Sequence, residues 1–207
     1  RAKGALYTTN PTVSIPVGQN GLVGNILPSE IDFLDVIAAN PDFQVVGGDS
    51  TFYVWDPKLY GSYGLGGYQT FSRFTSTPWE PSPGGGSYGS TPNTKIQSGM
   101  GFFVHNSQAT PLDIQLTESC KSDGANVGGS GFRPAAPAAA VPYIKTKLYS
   151  VVGAVENLAD GNEVSFDASY TNDINNRDNV KLAGFGDGIG MVRGTTILST
   201  EQRQFMV

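Results

Sequence analysis

Glycine and proline divide this chain into short segments, and this spacing constrains its fold more than any other feature of the sequence. The 207 residues include 27 glycines and 13 prolines. Between these breaks lie short runs rich in β-branched and aromatic residues, which is the pattern of strands joined by turns. The sequence therefore favours an all-β fold and argues against a helical bundle.

Predicted strands recur along the whole sequence, together with one predicted helix. The strands cover residues 5–8, 13–17, 43–46, 51–55, 68–74, 95–96, 101–105, 112–116, 143–152, 163–166, 180–182, 191–198 and 204–207. The helix is predicted near residues 30–39, where Ile31, Leu34 and Ile37 recur at helical spacing. Ser29, which follows Pro28, is predicted to cap its first turn.

A Gly/Ser-rich and then Ala/Pro-rich stretch, residues 121–142, has the composition of a linker. We therefore predict a β-sandwich domain of residues 1–120, which carries the helix, and a second β domain of residues 143–207. Both are expected to be jelly-roll or immunoglobulin-like sandwiches. The second has few strands for a closed sandwich, and a strand from a neighbouring chain would complete it.

The bulk composition excludes several classes of function. A net charge of −5 provides no basic surface for nucleic acid. The chain has no apolar run of 18 residues, so no membrane span is predicted. Cys120 is the only cysteine, so no intrachain disulfide can form. The chain begins at Arg1 without an apolar leader, which is expected of a processed chain or an excised fragment.

Few residues are suited to catalysis. A Ser-His or Cys-His arrangement would have to use His105, the only histidine, which lies in an apolar strand and is interpreted as structural. Two acidic pairs, Asp32 with Asp35 and Asp49 with Asp56, could serve a glycoside hydrolase if their carboxylates lay about 5 to 10 Å apart. Turn and helix-surface roles explain them equally, and we predict that the chain is not an enzyme.

The richest group of oxygen-bearing side chains follows residue 160, and Asp173, Asn175 and Asp178 are its candidate calcium ligands. Calcium takes six to eight oxygen ligands, which include carboxylates and amide oxygens. The spacing partly resembles an EF-hand loop but lacks its central glycine and terminal glutamate. Asp and Asn are also common turn residues, so a structural role stays open beside the metal site.

Aromatic residues in glycine-rich tracts are the remaining candidates for binding, namely Tyr63, Tyr68, Trp79 and Tyr88. Three roles are open to them. The rings could stack on sugars, they could contact a protein partner with little loss of side-chain entropy, or they could fold back over their own sheet.

Several short motifs occur in a fixed order along the chain. They include Gly21-Leu-Val-Gly-Asn-Ile-Leu-Pro-Ser-Glu-Ile-Asp32, Phe52-Tyr-Val-Trp-Asp56 and Gly101-Phe-Phe-Val104. This series resembles the one found in large cell-surface adhesin-like proteins of Bacteroidota, the cargo of the type IX secretion route. The chain departs from the family pattern at Gly21, where asparagine is usual, and at Ile26-Leu27, where Pro-Tyr is usual.

The resemblance implies an extracellular β-sandwich region of a surface adhesin or structural protein, with no catalytic residues. We therefore predict a non-enzymatic extracellular protein that associates with copies of itself in a cell-surface filament or layer. An alternative is a carbohydrate-binding module of a secreted protein, with glycans as its partners. A third is a catalytic or accessory domain of a glycoside hydrolase.

Overall fold

The computed structural model describes residues 10–44, 51–60, 64–122, 141–185 and 188–205. The chain is all-β, with one short α-helix in this part of it. The strands are β1 (Thr12–Ile15), β2 (Asn20–Gly24), β3 (Ile31–Asp32), β4 (Thr51–Asp56), β5 (Gly67–Ser72), β6 (Pro81–Ser82), β7 (Lys95–Ile96), β8 (Gly101–His105), β9 (Leu112–Gln115), β10 (Tyr143–Val152), β11 (Val155–Phe166), β12 (Asn179–Val180), β13 (Met191–Arg193) and β14 (Thr196–Arg203). The helix α1 spans Phe33–Ala39, and 3-10 turns span Pro41–Gln44 and Glu118–Cys120.

The chain forms two units, each made of two separate segments. Unit 1 comprises Arg1–Gly48 and Thr94–Phe132, and unit 2 comprises Asp49–Asn93 and Arg133–Val207. This division differs from the predicted boundary at residues 121–142. Most of the predicted linker, residues 123–140, lies outside the described part of the chain.

Unit 1 contains antiparallel pairs of short strands, in which β1 pairs with β9, β2 with β8 and β3 with β7. Along β8 and β9 every second side chain is buried, as the two-residue period of a strand requires. Phe33 at the start of α1 stands edge-on to both Phe43 and Phe102, with ring centroids 5.9 and 5.8 Å apart. These three rings form the centre of the unit's core.

The predicted helix is confirmed, but its predicted N-cap is wrong. Ile31 and Asp32 form strand β3, so the helix begins later than Ser29 would require. Asp32 is the N-cap, because its Oδ1 accepts a hydrogen bond from the amide of Leu34 at 2.9 Å. Its Oδ2 pairs with Lys95 Nζ at 2.6 Å. The hydroxyl of Ser29 is buried without a hydrogen-bond partner in the described chain.

Unit 2 contains the antiparallel run β4-β5-β6 and a sheet in the order β10-β11-β14-β12, with β13 also paired to β14. All pairings of this second sheet are antiparallel except that of β11 with β14. Side-chain hydrogen bonds join the two segments of the unit. Tyr53 donates to the carbonyl of Val180 at 2.9 Å, and Gln202 donates to the carbonyl of Phe74 at 2.9 Å.

These contacts explain why the predicted domain boundary does not match the units. Residues 49–93 precede the predicted linker in sequence, yet their partners lie after it. The pattern of a strand gives its length and its buried face, but the identity of its neighbours depends on long-range packing. The prediction of two separate sandwiches stays a prediction.

Most predicted strands are confirmed in position. The bounds of β7, β8 and β10 agree with those predicted, whereas β11 begins at Val155, eight residues before the predicted strand 163–166. The strand predicted at 43–46 is wrong at Phe43, which lies in a 3-10 turn. Residues 204–205 are not in a strand, and the predicted strand 5–8 lies outside the described residues. None of the described helices is long and apolar enough to cross a membrane.

Candidate functional site: the free edge of strand β10

Strands β10 and β11 form a long hairpin that is closed by a two-residue loop. Val152 lies opposite Val155, and Gly153 in the loop has a φ of +65°. Tight hairpin loops need such a positive φ, which glycine adopts without a steric penalty. A bulge interrupts the ladder, because Leu148 faces Asp160 while Tyr149 faces Leu158. The side chains and backbone groups of β10 therefore keep alternating in direction along the whole strand, and the extra residue of the bulge lies in β11.

Strand β10 lies at the edge of its sheet. Within the described ranges, β11 is the only strand that pairs with it. Five large apolar side chains of this edge strand are between 45% and 63% exposed: Tyr143, Ile144, Tyr149, Val151 and Val152. A long, apolar, uncovered edge is the type of surface on which another strand adds.

The backbone groups of β10 alternate in direction. The residues that close a two-residue hairpin bond to each other, so Val152 directs its N–H and C=O toward β11. Pro142 agrees with this alternation, since its carbonyl accepts a hydrogen bond from the amide of Phe166 at 2.8 Å. The odd-numbered residues therefore direct their N–H and C=O groups toward the free edge: Tyr143, Lys145, Lys147, Tyr149 and Val151.

Lys145 attaches this edge strand to the rest of unit 2. Its Nζ lies 3.0 Å from Glu80 Oε1 and 3.2 Å from Glu163 Oε2, and Glu163 is almost fully buried. Burial alone would lower the pKa of Lys145, but the charges of Glu163 and Glu80 together with their hydrogen bonds outweigh it and raise that pKa. The charged lysine therefore fixes β10 in place while its other edge stays open.

Two of the predicted binding aromatics cover the core of unit 2. Trp79 stacks on Phe52 with centroids 6.2 Å apart, and Tyr88 stands edge-on to Phe71 at 5.1 Å. Phe52 and Phe71 are themselves stacked and buried. Trp79 has a φ of +65°, and its ring lies on Phe52 of β4. This geometry matches the third of the predicted roles, in which loop rings fold over their own sheet.

Tyr68 has a different setting, and Tyr63 lies outside the described residues. Tyr68 contacts the edge of Trp55 at 4.9 Å and lines a cavity of about 390 Å³. Phe185, which is 68% exposed, lines the same cavity and contacts the Trp55 ring edge-on with centroids 5.8 Å apart. An ion pair between Lys181 and Asp160 forms part of the lining. Burial raises the pKa of the Tyr68 hydroxyl.

The predicted calcium ligands act as turn-forming groups. Asp178 accepts from the amides of Asn175 and Gln202, at 2.9 and 2.8 Å, so both of its carboxylate oxygens are engaged by the backbone. Asn175 in turn accepts from the amide of Arg177 and donates to the carbonyl of Asp173. Among the described residues, no three His, Cys, Asp or Glu side chains lie close enough together to hold a metal ion.

The residues considered for catalysis also have structural partners. Asp56 is buried and accepts hydrogen bonds from the amides of Lys58 and Ser87. His105 Nδ1 lies 2.8 Å from Asn20 Oδ1 at the surface. Cys120 is buried in unit 1. Asp49, which was predicted to pair with Asp56, lies outside the described residues.

Comparison with known proteins gave no match, since no family model, no curated protein and no solved structure is similar to this chain. The site therefore has to be interpreted from its own geometry. The β-branched and aromatic residues of the segment 143–152 predicted β10 itself. Its exposure on both faces was missed, although the mixture of apolar and polar residues on each face of the strand was a signal for it.

Proposed function

We propose that this chain is a non-enzymatic structural or adhesive protein of the cell surface, which associates with copies of itself through the free edge of β10. The observation that carries the proposal is the exposure of apolar side chains along a strand whose outer edge has no neighbour in the described chain. Soluble monomers normally protect such edges with charges, prolines or covering segments. Here the edge presents one exposed lysine, Lys147, and no proline.

The location outside the cell rests on the motif series that resembles secreted Bacteroidota surface proteins. Assembly there is compatible with the low charge of the chain, since charged residues make up 15% of it. Low charge weakens the repulsion between copies and favours their association.

A proline at the outer edge tests the proposal. Lys147→Pro removes an N–H that points away from β11, so it blocks strand addition while the hairpin keeps its own hydrogen bonds. We expect wild-type protein to show a mass in light scattering that rises with concentration, and Lys147→Pro to stay monomeric with a Tm close to that of wild type. Lys147→Thr, which keeps the N–H, is the matched control and should still associate.

A wild-type protein that remains a monodisperse monomer at all accessible concentrations would contradict the proposal. So would a Lys147→Pro variant that associates as strongly as wild type.

A second candidate function is carbohydrate binding, and the cavity beside Tyr68 favours it. The exposed ring of Phe185 and the polar groups of Asp160 and Lys181 are the kinds of group that line sugar sites. A glycan array would detect such binding, and Phe185→Ala should then abolish it. Trp79→Ala is the control, because Trp79 packs on Phe52 and its loss should reduce stability instead.

A further inference from the structure

The direction of the outer backbone groups limits how two copies of β10 can pair. In an antiparallel pair related by a two-fold axis, the axis is perpendicular to the sheet. Two residues that face each other across the pair have their side chains on the same face of the sheet. An odd-numbered residue of one copy must therefore face an odd-numbered residue of the other, and an even-numbered residue must face an even-numbered one. Only registers centred on a single residue of β10 satisfy this condition.

The lysines of β10 distinguish the central registers. Centring the pair on Lys147 would place this lysine directly opposite its own copy, and like charges in facing positions destabilise a sheet. Centring it on Tyr149 would place Lys145 opposite Gly153, so the pairing would run into the loop and leave the start of the strand unpaired.

The register centred on Leu148 avoids both problems. It places Lys147 opposite Tyr149, where the ammonium group can lie against an aromatic ring, and Lys145 opposite Val151. On the other face, Ile144 lies opposite Val152, which continues the apolar surface across the junction. Nearly the whole of β10 is paired.

We propose that two copies of this chain form an antiparallel β10–β10 pair with Leu148 on the two-fold axis. This inference rests on the proposed function, because it specifies the geometry of the same association. The pair joins the β10-containing sheets of the two copies into one continuous sheet. It satisfies the outward N–H and C=O groups of both strands and covers part of their exposed apolar side chains from the side.

A two-fold contact of this kind is closed, because both copies use the same surface. The β10 edge is consumed in the dimer and cannot add a third chain. A filament or layer built from these dimers must use a second contact elsewhere on the molecule.

Cysteine substitution tests the register directly. In the proposed pair the two Leu148 residues face each other without mutual hydrogen bonds, where Cα atoms lie about 4.5 Å apart, a separation that a disulfide spans. We expect Leu148→Cys to shift from the monomer to the dimer band on a non-reducing gel after mild oxidation. Lys147→Cys and Tyr149→Cys alone should remain monomers on the gel. Wild type controls for the native thiol, since Cys120 is buried.

A second cysteine pair covers the case in which Leu148→Cys does not fold. Thr146 and Ser150 face each other in the same register, so a mixture of Thr146→Cys and Ser150→Cys proteins should form a mixed dimer, while Thr146→Cys alone should not crosslink.

The outcomes separate this inference from the proposed function. If light scattering shows association but neither cysteine test gives a crosslink, the register is wrong and self-association still holds. The same conclusion follows if Lys147→Cys alone or Tyr149→Cys alone forms a crosslinked dimer. A wild-type chain that does not associate overturns both.

Discussion

Three buried asparagines hold the loops of unit 1 together. Each of Asn25, Asn40 and Asn106 donates two hydrogen bonds to backbone carbonyls and accepts one from a backbone amide. The amide side chain satisfies buried peptide groups that no strand neighbour reaches. The sequence alone does not predict this role, because nothing local shows that Asn25 donates to the carbonyl of Ile96, 71 residues later.

Removing one of these side chains should destabilise the protein strongly. Asn25→Ala leaves the carbonyls of Ser29 and Ile96 and the amide of Leu27 without their partner in a buried site. We expect the free energy of unfolding to fall by about 2 to 5 kcal/mol, as measured by urea denaturation. Asn20→Ala is the control, because Asn20 is exposed, and its effect should stay within about 0.5 kcal/mol. Equal effects of the two substitutions would contradict this role of Asn25.

Asp178 should make the stability of the protein depend on pH. Burial raises the pKa of this carboxyl above its ordinary value of 3.8, against the opposing effect of its backbone hydrogen bonds. The folded state therefore binds the proton more tightly than the unfolded state, and stability is lost as the pH rises from below 3.8 through the raised pKa. Since Asp178→Asn stays neutral, its stability relative to wild type should increase over this rise in pH.

Asp167 provides a control of opposite sign for the same urea titrations. Hydrogen bonds from Ser169 lower the pKa of this exposed carboxyl. The stability that its ionised form contributes is present above pH 3.8 and is lost as the pH falls through the lowered pKa. Asp167→Asn should therefore gain relative to wild type as the pH falls. Parallel pH profiles for the two variants would refute this assignment of the shifts.

At the scale of elements, the sequence predicted one strand of the main hairpin much better than the other. Strand β10 is rich in β-branched and aromatic residues and lies between Pro142 and Gly153, so both of its ends were predicted correctly. The first eight residues of β11, Val155 to Asn162, are mixed in polarity, and they become a strand because β10 supplies their hydrogen bonds. The tertiary partner, and not the local propensity, decides the conformation of such a segment.

The loop of this hairpin can be tested with a pair of glycines. Gly153 and Gly184 both have free space where a Cβ would lie, but only Gly153 has a positive φ. Gly153→Ala should therefore lower the free energy of unfolding by about 1 kcal/mol, through backbone strain alone. Gly184→Ala should be neutral or slightly stabilising, because it restricts the unfolded chain. Thermal unfolding measures both, and a neutral Gly153→Ala would contradict the described loop.

At the scale of the whole molecule, both units are discontinuous in sequence. The all-β class followed from composition and short strand patterns. The assignment of residues 49–93 to the same unit as residues 133–207 did not, since it depends on pairings over long sequence separations. Compact-looking sequence blocks on either side of a linker-like segment are therefore not the structural units of this chain.

A fragment of residues 143–207 should not fold on its own. It contains Glu163, Val180 and Gln202 without their partners Ser76, Tyr53 and Phe74. Circular dichroism should show no cooperative thermal transition for this fragment. Adding the 49–93 segment as a second polypeptide should restore protected amides in hydrogen exchange. Cooperative unfolding of the isolated fragment would support the predicted boundary at residues 121–142 instead.

The interleaved order of the units also sets when each can be completed during translation. Every residue of unit 1 has left the ribosome once Phe132 has, whereas unit 2 must wait for residues 133–207. Strand β10 belongs to this later segment, and its partner β11 follows it directly. The association edge is therefore made only after every residue of unit 1 has been synthesised, so a nascent chain cannot associate through β10 while unit 1 is still being translated.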